Sequence, residues 1–165
     1  MMSDKTIIQN GTKWREMINP LVKDKEGDPS YGVSSYGYDC RLGENYVTNL
    51  ETQEKLTSKD YIPIGPNQFI LVETFETFDI PPVVVGLSFN KSTYARQGIT
   101  ASATVIEPGW CGKLTVGLVN HSNKKVDLKV GAGIIQVVFF DNTQDPCDVI
   151  YNGKYQGDEG VQVAK

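Results

Sequence analysis

The sequence predicts an all-β fold, a sandwich or distorted barrel, with a short helix near its start and one more short helix between strands. Three observations support this class. Runs rich in Val, Ile, Phe and Tyr recur, turn residues separate them at short intervals, and helical spacing is confined to two stretches. With 165 residues, the chain is predicted to form one domain, residues 1–165, with a core that needs no disulfide or metal.

The first predicted element is a helix within "KTIIQNGTKWREMI", which Ser3 or Asp4 could cap. Gly11 interrupts this stretch, so we expect one or two short turns rather than a long helix. The polar segment "NPLVKDKEGDPS" then predicts a loop.

Strand patterns dominate the rest of the chain. The predicted strands are 36–50, 68–81, 83–89, 112–120 and 133–141. The segment "SFNKSTYARQGIT" (88–100) has helical spacing around Tyr94 and Ala95 and predicts a short helix. The polar, Gly-rich segment 151–165 fits either a frayed terminus or a mobile segment that closes over a ligand.

Composition excludes several classes of function. The net charge is −4 and no basic patch stands out, so we expect no nucleic acid polymer as a partner. No apolar run approaches 18 residues, so we expect no membrane span. The first residues lack the apolar core of a signal peptide, so we expect none there. Three cysteines without a C-x-x-C pair favour a reduced, cytoplasmic setting.

Several familiar catalytic motifs are missing from the sequence. His121 is the single histidine and lies in a predicted exposed turn, and there is no H-x-E with P-C-x-x-C, no P-loop and no G-x-G-x-x-G. What remains is a set of polar residues on predicted loops and strand ends. They are Asp39, Lys91, Ser92, Arg96, Glu107, Gln136, Lys154 and Gln156.

Two of these stretches predict chemistry. In "NKSTYARQG", Lys91, Ser92 and Arg96 near a helix start would suit an anion, although an ordinary charged surface helix fits as well. In "TVIEPGWCG", Glu107 precedes a Pro-Gly-Trp turn, a layout that presents a carboxylate at a loop tip.

Taken in order, the motifs resemble the trimeric dCTP deaminase/dUTPase family. "SSYGYDCRLG" is similar to its S-Y-G-Y-D-x-R-L-G strand, "KSTYARQGI" to R-S-S-x-A-R-x-G, and "VIEPGWCG" to I-D-P-G-W-x-G. "VGAGIIQVVF" is similar to P-G-x-R-I-x-Q-L-x-F, and "GKYQGDEG" to the closing G-K-Y-Q-G-Q-x-G. The resemblance runs along nearly the whole chain. The closing segment is more similar to that of the deaminase branch than to that of the dUTPase branch.

The resemblance implies a dUTPase-like β-barrel homotrimer whose sites lie between subunits and take a deoxypyrimidine triphosphate, dUTP or dCTP. It implies that Glu107, Ser92 and Arg96 are catalytic, and that Mg²⁺ is carried by the triphosphate without direct protein ligands. The remaining implied nucleotide-binding residues are Lys91, Thr93, Ala103, Trp110, Gln136, Tyr151, Lys154, Tyr155 and Gln156.

One departure from the family pattern bears on the reaction. In the deaminases, a glutamate in the strand after the P-G-W turn activates water against C4 of cytosine, and here that position is Gly117. The dUTPase branch uses instead the aspartate of the I-D turn, and here that position is Glu107, longer by one methylene or about 1.5 Å. The motifs have arginine at the positions of Lys91 and Gly133, and glutamine at the position of Asp158.

Three interpretations follow from these residues. The first is Mg-dependent hydrolysis of dUTP to dUMP and pyrophosphate, with Glu107 orienting the water. The second is deamination of dCTP to dUTP and ammonia, alone or together with cleavage of dUTP, and the absence of a carboxylate at residue 117 stands against it. The third is a catalytically silent nucleotide-binding or regulatory trimer.

Overall fold

The structure is a computed structural model that describes residues 1–13, 16–102 and 104–164. Its architecture is mainly β, as the sequence predicts. The helices are α1 (Asp4–Lys13) and α2 (Ser92–Ala95). The strands are β1 (Ile18–Asn19), β2 (Gly32–Ser34), β3 (Gly37–Val47), β4 (Lys55–Thr57), β5 (Tyr61–Ile64), β6 (Phe69–Asp79), β7 (Val84–Asn90), β8 (Ile99–Ala101), β9 (Val105–Ile106), β10 (Cys111–Asn120), β11 (Val126–Lys129) and β12 (Gly133–Asp141).

One curled sheet carries most of the strands, in the order β8-β10-β6-β3-β12-β7-β9, with β1, β2 and β4 paired at its margins. The strands β5 and β11 form a separate antiparallel pair. All the pairings between named strands are antiparallel within the part of the chain that the structure describes. The chain order of the strands therefore differs from their order in the sheet, and residues far apart in sequence become neighbours.

The two-residue period of β6 and β10 creates an inner and an outer face. Ile70, Val72, Val116 and Leu118 point into the core and are almost completely buried. On the outer face, Phe69 of β6 keeps 36% of its surface exposed. The cavity described below lies on this outer face and at the loops beside it.

The first helix differs from the prediction. It runs without a break from Asp4 to Lys13 and includes Gly11, so the expected interruption is wrong. Ile7 is fully buried, and the amide of Met2 donates to the carbonyl of Phe139 at 2.7 Å. Packing against the sheet offsets the cost of about 1 kcal/mol that a glycine brings to a helix.

The segment 88–100 is the second difference. Only Ser92–Ala95 is helical, because Ser88–Asn90 ends the strand β7 and pairs with β12. Tyr94 is buried on the inner side of this single turn, where burial raises its pKa to about 12. The helical spacing around Tyr94 therefore extends over one turn alone.

Buried polar groups join β3 to β6. Glu76 is fully buried and accepts hydrogen bonds from Nε of Arg41 at 2.7 Å and from the hydroxyl of Tyr38 at 3.2 Å. Burial and the nearby Glu76 raise the pKa of Tyr38 well above its usual value, so Tyr38 stays a neutral donor. These bonds satisfy polar groups that the curled sheet removes from water.

Candidate nucleotide site

A cavity of about 680 Å³ lies on the outer face of the sheet, within the size range of small-molecule sites. The loop before β10, the strands β6 and β10, and the segment 151–164 form its walls. Its lining is mostly apolar and includes Phe69, Trp110, Tyr151 and Tyr155. Aromatic rings of this kind offer flat surfaces to a sugar or a base.

Glu107 lies in this cavity at the start of a tight turn. The amide of Trp110 donates to the carbonyl of Glu107 at 3.1 Å, and the amide of Gly109 donates to Ile80 at 3.0 Å. Gly109 has a φ of +82°, and a Cβ there would approach Ile150 to 2.8 Å, so the turn requires glycine. The backbone is thereby fixed while the Glu107 side chain stays exposed to the cavity.

Trp110 and the segment 151–164 are joined directly. The indole Nε1 of Trp110 donates to the carbonyl of Tyr155 at 3.1 Å. The side chain of Gln156 accepts from the amide of Cys111 at 3.2 Å and donates to the carbonyl of Gly109 at 2.8 Å. The predicted residues Tyr151, Tyr155 and Gln156 therefore lie beside Glu107 and Trp110 on the same copy of the chain.

Lys154, also predicted from the closing motif, is exposed on this segment. Its Nζ lies 5.3 Å from the centre of the Tyr155 ring, within the range of a cation–π contact. Closure of this segment over a ligand stays a prediction.

The remaining predicted residues form a second group, separate from the cavity. Ser92, Thr93 and Arg96 lie on or just after α2 and are exposed, and none of them lines the cavity. The side-chain Nε2 of Gln136, on β12, donates to Oγ of Ser34 at 3.1 Å. The sequence-predicted set is thus divided between two places on one chain.

Lys91 belongs to this second group but is engaged in an ion pair. Its Nζ lies 2.8 Å from Oδ2 of Asp39, and Nζ of Lys25 lies 3.2 Å from the same oxygen. The side chains of Asp39 and Lys91 are 3% and 10% exposed, so the pair is largely withdrawn from water. Lys91 would need to leave Asp39, or to share it, in order to bind a phosphate.

Gly133 replaces an arginine of the motif for a steric reason. A Cβ at this position would collide with the carbonyl oxygen of Ser30 and lie 3.2 Å from Cε of Lys91. The amide of Gly133 donates to the carbonyl of Pro29 at 2.9 Å. The loop before β2 therefore passes too close for any side chain at residue 133.

Gly117 lies on β10, opposite Leu71 of β6, and is buried. A Cβ there would lie 3.0 Å from Cε2 of Phe69 and 3.0 Å from Oγ of Ser102. The Phe69 ring, which lines the cavity, thus covers the position at which the resemblance places the glutamate of the deaminases. Phe69 carries no motif that the sequence could reveal, because it is an outer-face residue of a strand.

Ala103 lies outside the described residues. Among the residues that the structure does describe, no group of three or more His, Cys, Asp or Glu is arranged to hold a metal ion. In the same residues no helix is long and apolar enough to cross a membrane.

Comparisons with known proteins agree with this fold. A family model described as dCTP deaminase-like matches residues 1–142. A dCTP deaminase of Campylobacter concisus (strain 13826) is 35% identical in an alignment that covers 92% of this chain and 90% of that protein.

Solved structures show the same architecture at low sequence identity. The 2'-deoxycytidine 5'-triphosphate deaminase from Agrobacterium tumefaciens superposes with a TM-score of 0.69 at 15% identity, covering 86% of this chain. This chain spans 47% of that solved chain, less than half of it. The EIAV dUTPase superposes with a TM-score of 0.51 at 17% identity, covering 73% of this chain and 87% of that one.

The curled sheet is thus a fold of the dUTPase-like β class. The match over residues 1–142 and the 35% identity show that the chain belongs to the dCTP deaminase-like family.

Proposed function

We propose that the protein is an enzyme that acts on a deoxypyrimidine triphosphate, and that it hydrolyses dUTP to dUMP and pyrophosphate. One observation carries the choice of reaction: the cavity presents the carboxylate of Glu107, whereas residue 117 is a buried glycine covered by Phe69. In this reaction a water oxygen bonds to the α-phosphorus, the bond to the bridging α–β oxygen breaks, and pyrophosphate leaves. Glu107 orients the water and takes up its proton.

The charges of the cavity bear on how a triphosphate would be held. Its charged lining consists, among the described residues, of Glu107, Asp158 and Lys113. A triphosphate beside two carboxylates and one ammonium needs further positive charge. In the proposal, Mg²⁺ bound together with the triphosphate and Arg96 of another copy of the chain would supply this charge.

The division of the site supports an assembly. Glu107 and Trp110 lie at the cavity, while Ser92, Thr93 and Arg96 lie apart from it. A homotrimer that brings the second group of one copy to the cavity of the next would reunite the predicted residues. This arrangement also accounts for the exposed apolar residues Phe69 and Val105 around the cavity, which are 36% and 56% exposed.

Deamination of dCTP to dUTP and ammonia is the second candidate, and the names of the sequence relatives favour it over dUTP hydrolysis. The residue at position 117 opposes it, because water attack on C4 requires a base within hydrogen-bond reach. Glu107 would have to supply that base from the turn. If neither reaction occurs, the protein is a nucleotide-binding trimer without turnover.

Product analysis separates the candidates. The purified protein is incubated with Mg²⁺ and dUTP, dCTP or dTTP, and both pyrophosphate and ammonia are measured. Pyrophosphate from dUTP supports the proposal, whereas ammonia from dCTP without pyrophosphate supports deamination. Calorimetric binding without either product supports the silent trimer.

A further inference from the structure

Glu73 is a buried carboxylate on the outer face of the sheet, where water would be expected. It lies on β6 in register with Thr115 of β10, on the same face as the partly exposed Phe69. Only 1% of Glu73 is exposed, because the segment 151–164 crosses over it. A buried carboxylate is costly unless hydrogen bonds and opposite charge compensate for its lost hydration.

Three donors converge on this carboxylate. Nδ2 of Asn45 donates to Oε1 at 2.9 Å, and Nζ of Lys113 lies 3.4 Å from the same oxygen. The backbone amide of Val161 donates to Oε2 at 2.9 Å. The first two donors belong to the sheet and the third belongs to the crossing segment, so Glu73 joins the two.

The contact with Val161 belongs to a series of attachments that begins at the cavity. The amide of Tyr151 donates to the carbonyl of Pro108 at 2.8 Å, and the amide of Lys113 donates to the carbonyl of Asp158 at 2.8 Å. Val161 is fully buried, and after it the amide of Gln162 donates to Oγ1 of Thr115 at 2.9 Å. The stretch between Tyr151 and Val161 supplies Tyr155 and Asp158 to the cavity wall.

We infer that Glu73 is a positioning residue that fixes the segment 151–164 against the sheet and so sets the wall of the cavity. A carboxylate suits this task because each of its two oxygens serves one side of the junction. A glutamine has a single acceptor oxygen, which would face the two sheet donors, one of them the charged Lys113. Its amino group would then face the amide of Val161, and that bond would be lost.

Hydrogen exchange on the nucleotide-free protein tests this inference. In Glu73→Gln, amides of residues 152–162 should exchange roughly 10-fold faster or more, as expected for a lost bond to a charged acceptor, while the amides of residues 116–120 in β10 keep their protection. The matched control is Glu159→Gln, which removes the same charge from an exposed glutamate on the same segment. The control should leave exchange unchanged.

A second variant leaves the sheet untouched. Val161→Pro removes the amide that donates to Glu73, and it should release the same amides as Glu73→Gln. Val161→Pro also replaces a fully buried side chain, so the double variant should release the segment no further than Val161→Pro alone. Additive release, unchanged exchange in Glu73→Gln, or faster exchange throughout β10 would each overturn the inference.

The consequence for catalysis rests on the proposed function. If the wall binds the nucleotide, Glu73→Gln should raise KM for dUTP several-fold while changing kcat little. A fall in kcat with unchanged KM would contradict this role. The exchange experiment needs no nucleotide, so it can succeed or fail independently of the proposed reaction.

Discussion

Substitution of Gly117 by glutamate tests whether residue 117 decides the reaction. The new Cβ would lie 3.0 Å from both the Phe69 ring and Oγ of Ser102, closer than ordinary packing allows. Inserting a side chain into such a site typically costs about 1–3 kcal/mol. For a domain of this size, that corresponds to a fall in Tm of about 2–12 °C.

The pairing with Phe69 makes the test specific. Gly117→Glu alone should lower Tm and release no ammonia from dCTP, because the ring holds the new carboxylate away from the cavity. Combined with Phe69→Ala, it should recover part of the lost Tm, since Oγ of Ser102 still crowds the new Cβ, and it should begin to release ammonia. Scanning calorimetry measures the change in Tm, and an ammonia assay measures deamination. The control Gly117→Ala adds the Cβ without the carboxylate and so reports the steric cost alone.

Two outcomes would refute this reasoning. If Gly117→Glu alone kept the Tm of the unsubstituted protein and deaminated dCTP, the Phe69 ring would not close the position. If the unsubstituted protein released ammonia from dCTP, a carboxylate at residue 117 would not be needed at all.

Two further predictions concern the assembly and the core. Glu107→Gln and Arg96→Ala should each be inactive on dUTP, but co-refolding them should restore about one quarter of the activity, since one site in four then combines the intact residues of two copies. As the control, either variant is co-refolded with the doubly substituted chain, a mixture that cannot form an intact site. If the two single variants together recover no more activity than this control, the site is not shared between copies. Tyr94 has its pKa raised from 10.0 to about 12 by burial, so the unfolded chain loses this proton first and stability falls as pH rises from about 10 to 12. Tyr94→Phe should reduce this loss of unfolding free energy by up to about 1.4 kcal/mol per pH unit, measured by urea titration. If the variant and the unsubstituted protein lose stability equally, Tyr94 is not the group responsible.

The sequence predicts the long strands well because burial on the inner face imposes a clear alternation. Strands β6, β7, β10 and β12 lie within a few residues of their predicted bounds. The short strands β4 and β11 were missed, since "KLT" and "VDLK" are too short and too polar to show a pattern.

The candidate site was predictable where a local motif forms it. The turn from Glu107 to Trp110 and the residues around Tyr155 are examples, because each depends on neighbours close in sequence. The ion pair of Lys91 with Asp39 joins residues 52 positions apart, and only the pairing of strands brings them together. Glu73 escaped notice for the same reason, because its partner Val161 lies 88 positions away.

In the proposed reaction Glu107 orients the attacking water, and turnover by Glu107→Gln is the measurement that checks this role. The side chain is exposed in the cavity, so the amide should leave the fold and the affinity for a non-hydrolysable dUTP analogue nearly unchanged. We expect kcat for pyrophosphate release to fall by about 10²–10⁴. Pyrophosphate release within tenfold of the unsubstituted protein, at equal affinity, would contradict it.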